Sequence, residues 1–326
     1  MALPTCAFPL EQVTLTTCFR DEALLQALTD AGATAALPKV SQVYGALRMP
    51  MLEAYPYTFA SLALTMDGKM AFPETPGGVL IPKSNKLNPD GALADFFVLN
   101  ALRAYSDAVI NGTNTLRAEP DLRMTICDPE LAEERSIYLN KTLPHPLQVI
   151  ISLDGQDIPF EHPIFHQDDV PVCVCTSPAG MEYLERHAQG NYVHAAHLGE
   201  QDLEDAEALK KRLMTAGGRV PVLTSGEGAQ TAVAPMMRGL KQGGIDHILI
   251  ESPTFMWLLM REKLLHEIYI THTTVFLGGQ LTPGLRTPFT FTQHPQGRIA
   301  QLNRHGNAFL YSRQILEYSL MEERQG

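Results

Sequence analysis

The chain has 326 residues, 45% of them hydrophobic and 19% charged, which allows one large α/β domain or two small ones. Its 25 basic and 36 acidic residues leave a net charge of −11, which argues against a general nucleic-acid surface, and no apolar run approaches the ~20 residues of a membrane span. An anionic ligand would therefore need a local basic patch that the chain as a whole does not provide.

Residues 1–10 carry neither a basic leader nor a long apolar stretch, so no secretory signal is expected. Residues 1–55 read as a helical N-terminal extension, with helical periodicity from Glu22 to Leu28 and loop-like Gly32 and Pro38, packing on the main domain or on a partner subunit. The main domain is placed at 56–320. Its first strand is the nearly continuous apolar run 58–65, as a parallel strand buried on both faces would be. Asp67-Gly68 ends it in a turn. Asn88-Pro89-Asp90 opens a helix through Leu93, Phe96, Phe97 and Leu102, with Asp90 as N-cap. A strand at 107–111 then runs into Gly112-Thr113-Asn114-Thr115 and a short helix.

Further strands are expected at 147–152, 170–176, 220–224 and 247–250, with helices at 205–215 and 229–240. A helix at 255–265 and a long strand at 267–276 follow, and 299–302 with 308–311 close the chain as an antiparallel pair. This order indicates a three-layer α/β/α fold with a mostly parallel mixed sheet and an antiparallel C-terminal edge. The five cysteines are odd in number and scattered, at Cys6, Cys18, Cys127, Cys173 and Cys175. They fit a reducing, cytoplasmic setting without disulfides. His162/His166 and His194/His197 have spacings that can ligate zinc, but Pro163 interrupts the first pair and no acidic partner accompanies the second, so no metal is expected.

In open α/β sheets, ligands bind at the carboxyl ends of strands, which directs attention to what ends each strand. Asp67 is either a turn residue or a carboxylate at the mouth of a crevice. Gly112 to Thr115 is either a capped helix or a strand-to-helix turn whose N–H groups hold a phosphate. Ser252 and Pro253 read as N-cap and first helical residue. Glu251, directly after Ile248-Leu249-Ile250, is costly there unless the strand end faces a polar cleft. Ser225-Gly226-Glu227-Gly228 lacks the third glycine of a dinucleotide fingerprint, and no G-x-S-x-G supports a hydrolase.

The order of these segments resembles the reductase domain of bacterial riboflavin-biosynthesis deaminase–reductases. Thr65-Met66-Asp67-Gly68-Lys69 is similar to that family's S-x-D-G-[RK], and Leu102-Arg103-Ala104-x-x-Asp107-Ala108 to its L-R-A-x-x-D-A. Gly112-x-x-Thr115-Leu116-Arg117-Ala118-Glu119-Pro120-x-Leu122 resembles G-x-x-T-V-x-x-D-x-P-x-L. Ile250-Glu251-Ser252-Pro253-Thr254, Leu264-Leu265-His266-Glu267 and Leu277-Gly278-Gly279 resemble V-E-G-G-P-T, L-V-D-E and L-L-G-G. The resemblance spans about 57–318. It departs from the family in having Ser252-Pro253 for the glycine pair and in its compressed Glu119-Pro120, and the chain has no zinc-deaminase signature.

The resemblance implies a dihydrofolate-reductase-like fold that binds NADPH and reduces a ribosylamino-pyrimidine 5′-phosphate, with hydride passing to C1 of the opened ribose. It places Gly112, Thr113, Thr115 and Glu119 on the cofactor, with Ser252, Pro253, Thr254, Phe255 and Met256 alongside and Thr176 or Ser177 at the adenosine end. It places Asp67 and Glu251 at the reacting centre. Arg103, Leu122, Arg123 and Glu251 would hold the substrate, and Arg103, Arg123 and Lys83 or Lys86 would supply positive charge. Two other readings stay open: a reductase of this fold acting on another small molecule, and a catalytically silent binding protein. A homodimer is expected, because such folds leave sheet edges and helix faces to cover.

Overall fold

The computed structural model describes residues 3–30, 32–284 and 287–319. The elements run α1 (Leu10–Val13), β1 (Thr16–Arg20), α2 (Glu22–Thr29), α3 (Pro38–Val43), β2 (Tyr57–Thr65), α4 (Leu80–Lys83), α5 (Pro89–Tyr105), β3 (Ala108–Gly112), α6 (Thr113–Ala118) and α7 (Pro129–Leu139). They continue β4 (Leu147–Ile151), β5 (Val172–Thr176), α8 (Pro178–His187), β6 (Tyr192–Leu198), α9 (Ala206–Leu213), β7 (Val220–Ser225), α10 (Val233–Gln242), β8 (His247–Ile250), α11 (Pro253–Arg261), β9 (Glu267–Thr273), β10 (Gln296–His305) and β11 (Phe309–Glu317). The strands form one 11-stranded sheet, ordered β1-β10-β11-β9-β2-β8-β3-β4-β5-β7-β6. From β9 through to β6 every neighbouring pair is parallel. β11, β10 and β1 continue the sheet antiparallel on the other side.

The central strands are apolar on both faces because each face is covered by helices. Along β8, Ile248 and Ile250 enter one core with Met236, Met237, Phe255 and Met256 of α10 and α11. Leu249 enters the other core with Phe97, Ala101, Leu102 and Tyr105 of α5. Glu251, one residue past β8, alternates to the α5 side. Gly91 in the first turn of α5 lets that helix approach the sheet, since a Cβ there would lie 2.2 Å from the Phe309 ring. Asn88, rather than Asp90, caps α5: its side chain accepts from Gly91 N, and Pro89 occupies the first helical position, where no N–H is needed.

The amino-terminal stretch is not only helical. It adds β1, which pairs antiparallel with β10 and covers that strand's edge. Phe8, Val13, Leu37, Val40, Val43, Leu47 and Met49 all join the α5-side core. The Tyr105 hydroxyl accepts from Leu37 N at 2.8 Å and donates to Leu47 O at 2.7 Å, which ties the stretch to the end of α5. Other boundaries shift for local reasons. α10 starts at Val233 because Gly226 and Gly228 (φ 81° and 54°) turn the chain first. β9 stops at Thr273, and α11 begins at Pro253 because Ser252 caps it. β6, α7 and α8 were not anticipated from the sequence. Among the described residues no helix is long and apolar enough to cross a membrane, and the five cysteines are free thiols.

Candidate functional site

Because β9, β2, β8, β3, β4, β5, β7 and β6 run parallel, their carboxyl ends lie along one edge of the sheet, and the expected site residues gather there. Beyond β2, the Asp67 carboxylate accepts from Thr65 Oγ1 at 2.6 Å, Gly278 N at 2.6 Å and Leu277 N at 3.1 Å. These bonds, led by the Thr65 hydroxyl, hold its carboxyl down at about 2. Gly278 is at φ 71°, a backbone conformation that glycine adopts without strain. Asp67 thus fastens the loop after β9 to the end of β2, with the carboxylate ionised.

At the β8–β3 junction, Glu251 and Arg103 form a bidentate pair, Nε–Oε1 at 2.7 Å and Nη2–Oε2 at 2.8 Å. Arg103 Nη1 donates to Thr125 O at 3.1 Å and Arg123 O at 3.4 Å. Arg103 is only 3% exposed. Its guanidinium is directed at Glu251 and two loop carbonyls, so the nitrogens expected to meet a substrate phosphate already donate within the protein. The pair instead joins α5, the 123–125 loop and the β8 end, and neutralises Glu251. Arg123 is half-buried: its Nη1 donates to the neighbouring Leu122 O at 3.0 Å, and the Asp121 and Asp169 carboxylates lie near enough to oppose the lowering of its pKa by burial. Leu122 packs against the α5-side core. Lys86 Nζ donates to Lys83 O at 3.1 Å, while Lys83 lies close enough to Glu119 to lower its pKa.

Glu119 lies within electrostatic reach of Glu251 and Arg103. Its carboxylate accepts from Gly78 N at 3.0 Å. Burial, and after it the charge of Glu251, raise its pKa despite that bond. Glu119 therefore fastens the 77–78 loop to the end of α6.

Gly112 and Ser252 end adjacent strands, and a Cβ on Gly112 would lie 3.4 Å from Ser252 Oγ. Two helices start from this point, α6 and α11, with Ser252 Oγ accepting from Phe255 N at 3.4 Å. Thr254 is exposed and Thr115 half-buried, and neither side chain has a described hydrogen-bond partner. Thr113 does have one: its hydroxyl donates to Asp157, which also accepts from Ser152 Oγ at 2.5 Å. Phe255 and Met256 are 2% and 1% exposed in the α11-side core, so only their backbone can border a ligand. Thr176 and Ser177 end β5, and both are buried. Ser177 caps α8 by accepting from Gly180 N at 3.0 Å, while Thr176 Oγ1 has no described hydrogen-bond partner.

Residues 56–311 match the RibD C-terminal domain family. The chain belongs to that family. RibD of Acinetobacter baumannii shares its fold at 18% identity and a TM-score of 0.51, over 81% of this chain and 59% of that one. A deaminase/5-amino-6-(5-phosphoribosylamino)uracil reductase of Thermotoga maritima does so at 14% identity and 0.51, over 80% and 56%. A pyrimidine reductase-like protein of Corynebacterium diphtheriae matches at 16% identity and 0.54, over 86% and 98%. The chain thus spans under three-fifths of the two longer proteins and nearly all of the third. No curated protein matches it significantly. RibD C-terminal domain membership agrees with the dihydrofolate-reductase-like, three-layer fold expected from the ordered motifs.

Proposed function

We propose that the chain is an NADPH-dependent reductase of a ribosylamino-pyrimidine phosphate. Family membership over 56–311 supports this, but the observation that carries it is the junction of β2, β8 and β3. There a neutralised Glu251–Arg103 pair, the Asp67-held loop and the Gly112–Ser252 contact lie at the carboxyl ends of neighbouring parallel strands. The residues present fit a dinucleotide. Gly112 brings backbone close to the first turn of α11, Thr115 and Thr254 offer uncommitted hydroxyls, and the exposed start of the nine-residue α11 favours an anion. Thr176 or Ser177 would border the adenosine end.

When bound, the cofactor supplies the hydride. The chain's own part is to orient the substrate and exclude water. Glu251, held in one rotamer by Arg103, presents its carboxylate edge to ribose hydroxyls or base N–H groups. Arg123 and Lys83 provide the phosphate-attracting charge that an acidic protein must focus locally. Glu119 closes the 77–78 loop over the crevice, and Asp67 positions the loop after β9 instead of exchanging protons with substrate. Ser252-Pro253 is the feature that favours the second reading, a reductase of this fold with a different small substrate, because Pro253 has no N–H to offer. We place the protein in the cytoplasm as a homodimer. Exposed Met66, Phe276 and Leu281 beside Asp67 are an apolar surface suited to a second copy.

Fluorescence titration with NADPH and NADH, followed by NADPH oxidation with 5-amino-6-(5-phosphoribosylamino)uracil, tests the proposal. Binding with turnover is the expected result. Binding without turnover selects the second reading, and no cofactor binding at millimolar concentration leaves the silent binding protein.

A further inference from the structure

The sheet ends at β6, whose outer edge no other described strand covers. An edge strand presents unpaired N–H and C=O groups, which proteins guard with lysine or proline. β6 (YVHAAHL) carries neither. A cleft of about 1380 Å³ lies beside it, bounded by the 199–205 loop, α9 and Arg219.

By residue class the strand reads the same in both directions. Val193 and Leu198 stand outermost, His194 and His197 inside them, and Ala195 and Ala196 at the centre. Antiparallel pairing of two copies about that centre sets Val193 opposite Leu198 and His194 opposite His197. In a regular strand this register would fail, because residues an odd number apart point to opposite faces. The bulge between His194 and Ala196 supplies the extra residue that corrects it. His194 pairs with Val222 and His197 with Thr224, so both stand on the α8 side, and both imidazoles hydrogen-bond to the Thr224 hydroxyl, at 3.0 and 3.1 Å. Val193 and Leu198 pair with Pro221 and Ser225 and share the other face. Like side chains therefore meet across a two-fold axis, and the central alanines leave room for close approach.

Charge follows the same symmetry. Glu200 and Glu204 lie just beyond the carboxyl end of β6, on the loop that enters α9. α9 runs back along the strand, so Lys211 and Arg212 in its last turn, and Arg219 just before β7, lie towards the amino end. All five line the cleft, and among the described residues none of them has an ion-pair partner. A two-fold axis through the strand centre sets the acidic end of each copy against the basic end of the other.

We propose that the β6 edge is a docking surface for a second copy of this chain, which pairs with it antiparallel and joins the two 11-stranded sheets into one. The contact is isologous. It is independent of the reductase reading and lies on the other half of the sheet from Met66, Phe276 and Leu281.

Sedimentation of the full chain tests it, with Lys211→Glu/Arg212→Glu and Glu200→Lys/Glu204→Lys as two double variants at exposed positions. The first carries acidic charge at both ends of the strand, and the second basic charge at both. Each alone, folded by circular dichroism, should sediment at about half the wild-type mass at low ionic strength. Mixed in equal amounts they should recover the wild-type mass, because each offers the charge that the other lacks. Wild-type mass in both variants, or no recovery in the mixture, overturns the proposal. A wild type of single-chain mass removes this contact and the homodimer together, whereas variants that stay dimeric like wild type remove this contact alone.

Discussion

At the scale of single residues, the site is a set of charges placed to hold one another. Arg103→Ala would leave Glu251 half-buried with no cation, and breaking a buried pair costs about 3–5 kcal/mol. Urea unfolding should show that loss. Little change in stability, together with a specific loss of affinity for phosphorylated substrate, would return Arg103 to the phosphate. Arg123→Ala should behave the other way. It should leave stability nearly unchanged and weaken phosphorylated substrate roughly tenfold relative to its dephosphorylated analogue, which steady-state kinetics reads directly. Asp67→Ala should speed amide exchange at Leu277 and Gly278. The folded carboxyl sits at about 2 against an ordinary 3.8, so its contribution is fully present above about pH 4 and lost as pH falls towards 2. The wild-type and variant exchange rates should therefore converge in acid. Asp67 and Glu251 were legible in the sequence because each breaks an apolar run at a strand end. Arg103 was expected on the substrate; its pairing with Glu251 was not legible, because nothing in local spacing brings residues 148 apart together. Asp95, on α5 against Thr271 of β9, left no signal, since one carboxylate on a long helix looks like a solvated face until the sheet beneath it is known.

At the scale of elements, the strongly apolar strands were legible and the edges were not. β4, β5, β7 and β8 are buried runs that read directly from composition. β6 (YVHAAHL) is an edge strand with two histidines and a bulge between His194 and Ala196, so it lacks both the apolar run and the alternation. β1 (TTCFR) is short and largely exposed, and it exists because β10 offers it a ladder. Tertiary pairing, rather than propensity, makes it a strand. That dependence is mutual. Deleting residues 1–55 should uncover the long edge of β10 and strip Val13, Leu37, Val40, Val43 and Met49 from the α5-side core. The truncated chain is expected in the insoluble fraction or, if recovered, to have lost cooperative thermal unfolding. A soluble truncation with an unchanged midpoint would make the segment a separable extension.

For the molecule as a whole, two buried groups pull the pH dependence of stability in opposite directions. His266 stacks on Tyr57 with ring centroids 4.8 Å apart, and its Nδ1 accepts from Thr58 N at 3.0 Å. Burial lowers it to about 4 from 6.5. The unfolded chain therefore binds the extra proton first, and stability falls as pH drops from about 6.5 to 4, by roughly 3 kcal/mol at most. His145, His162 and His272, all lowered mainly by burial, act in the same sense. Asp95 acts in the opposite sense: at about 6 against 3.8 unfolded, the native chain takes up its proton first, and stability returns over nearly the same range by a similar amount. The His266 and Asp95 contributions largely offset each other from pH 7 to about 5. Asp95→Asn removes one side of the balance. The variant should be more stable than wild type at pH 7, lose that advantage steadily on acidification, and meet the wild-type curve near pH 4. Denaturant midpoints measured at several pH values decide the matter: a difference between the two proteins that does not change with pH would mean that Asp95 is not desolvated and that water reaches it between α5 and β9.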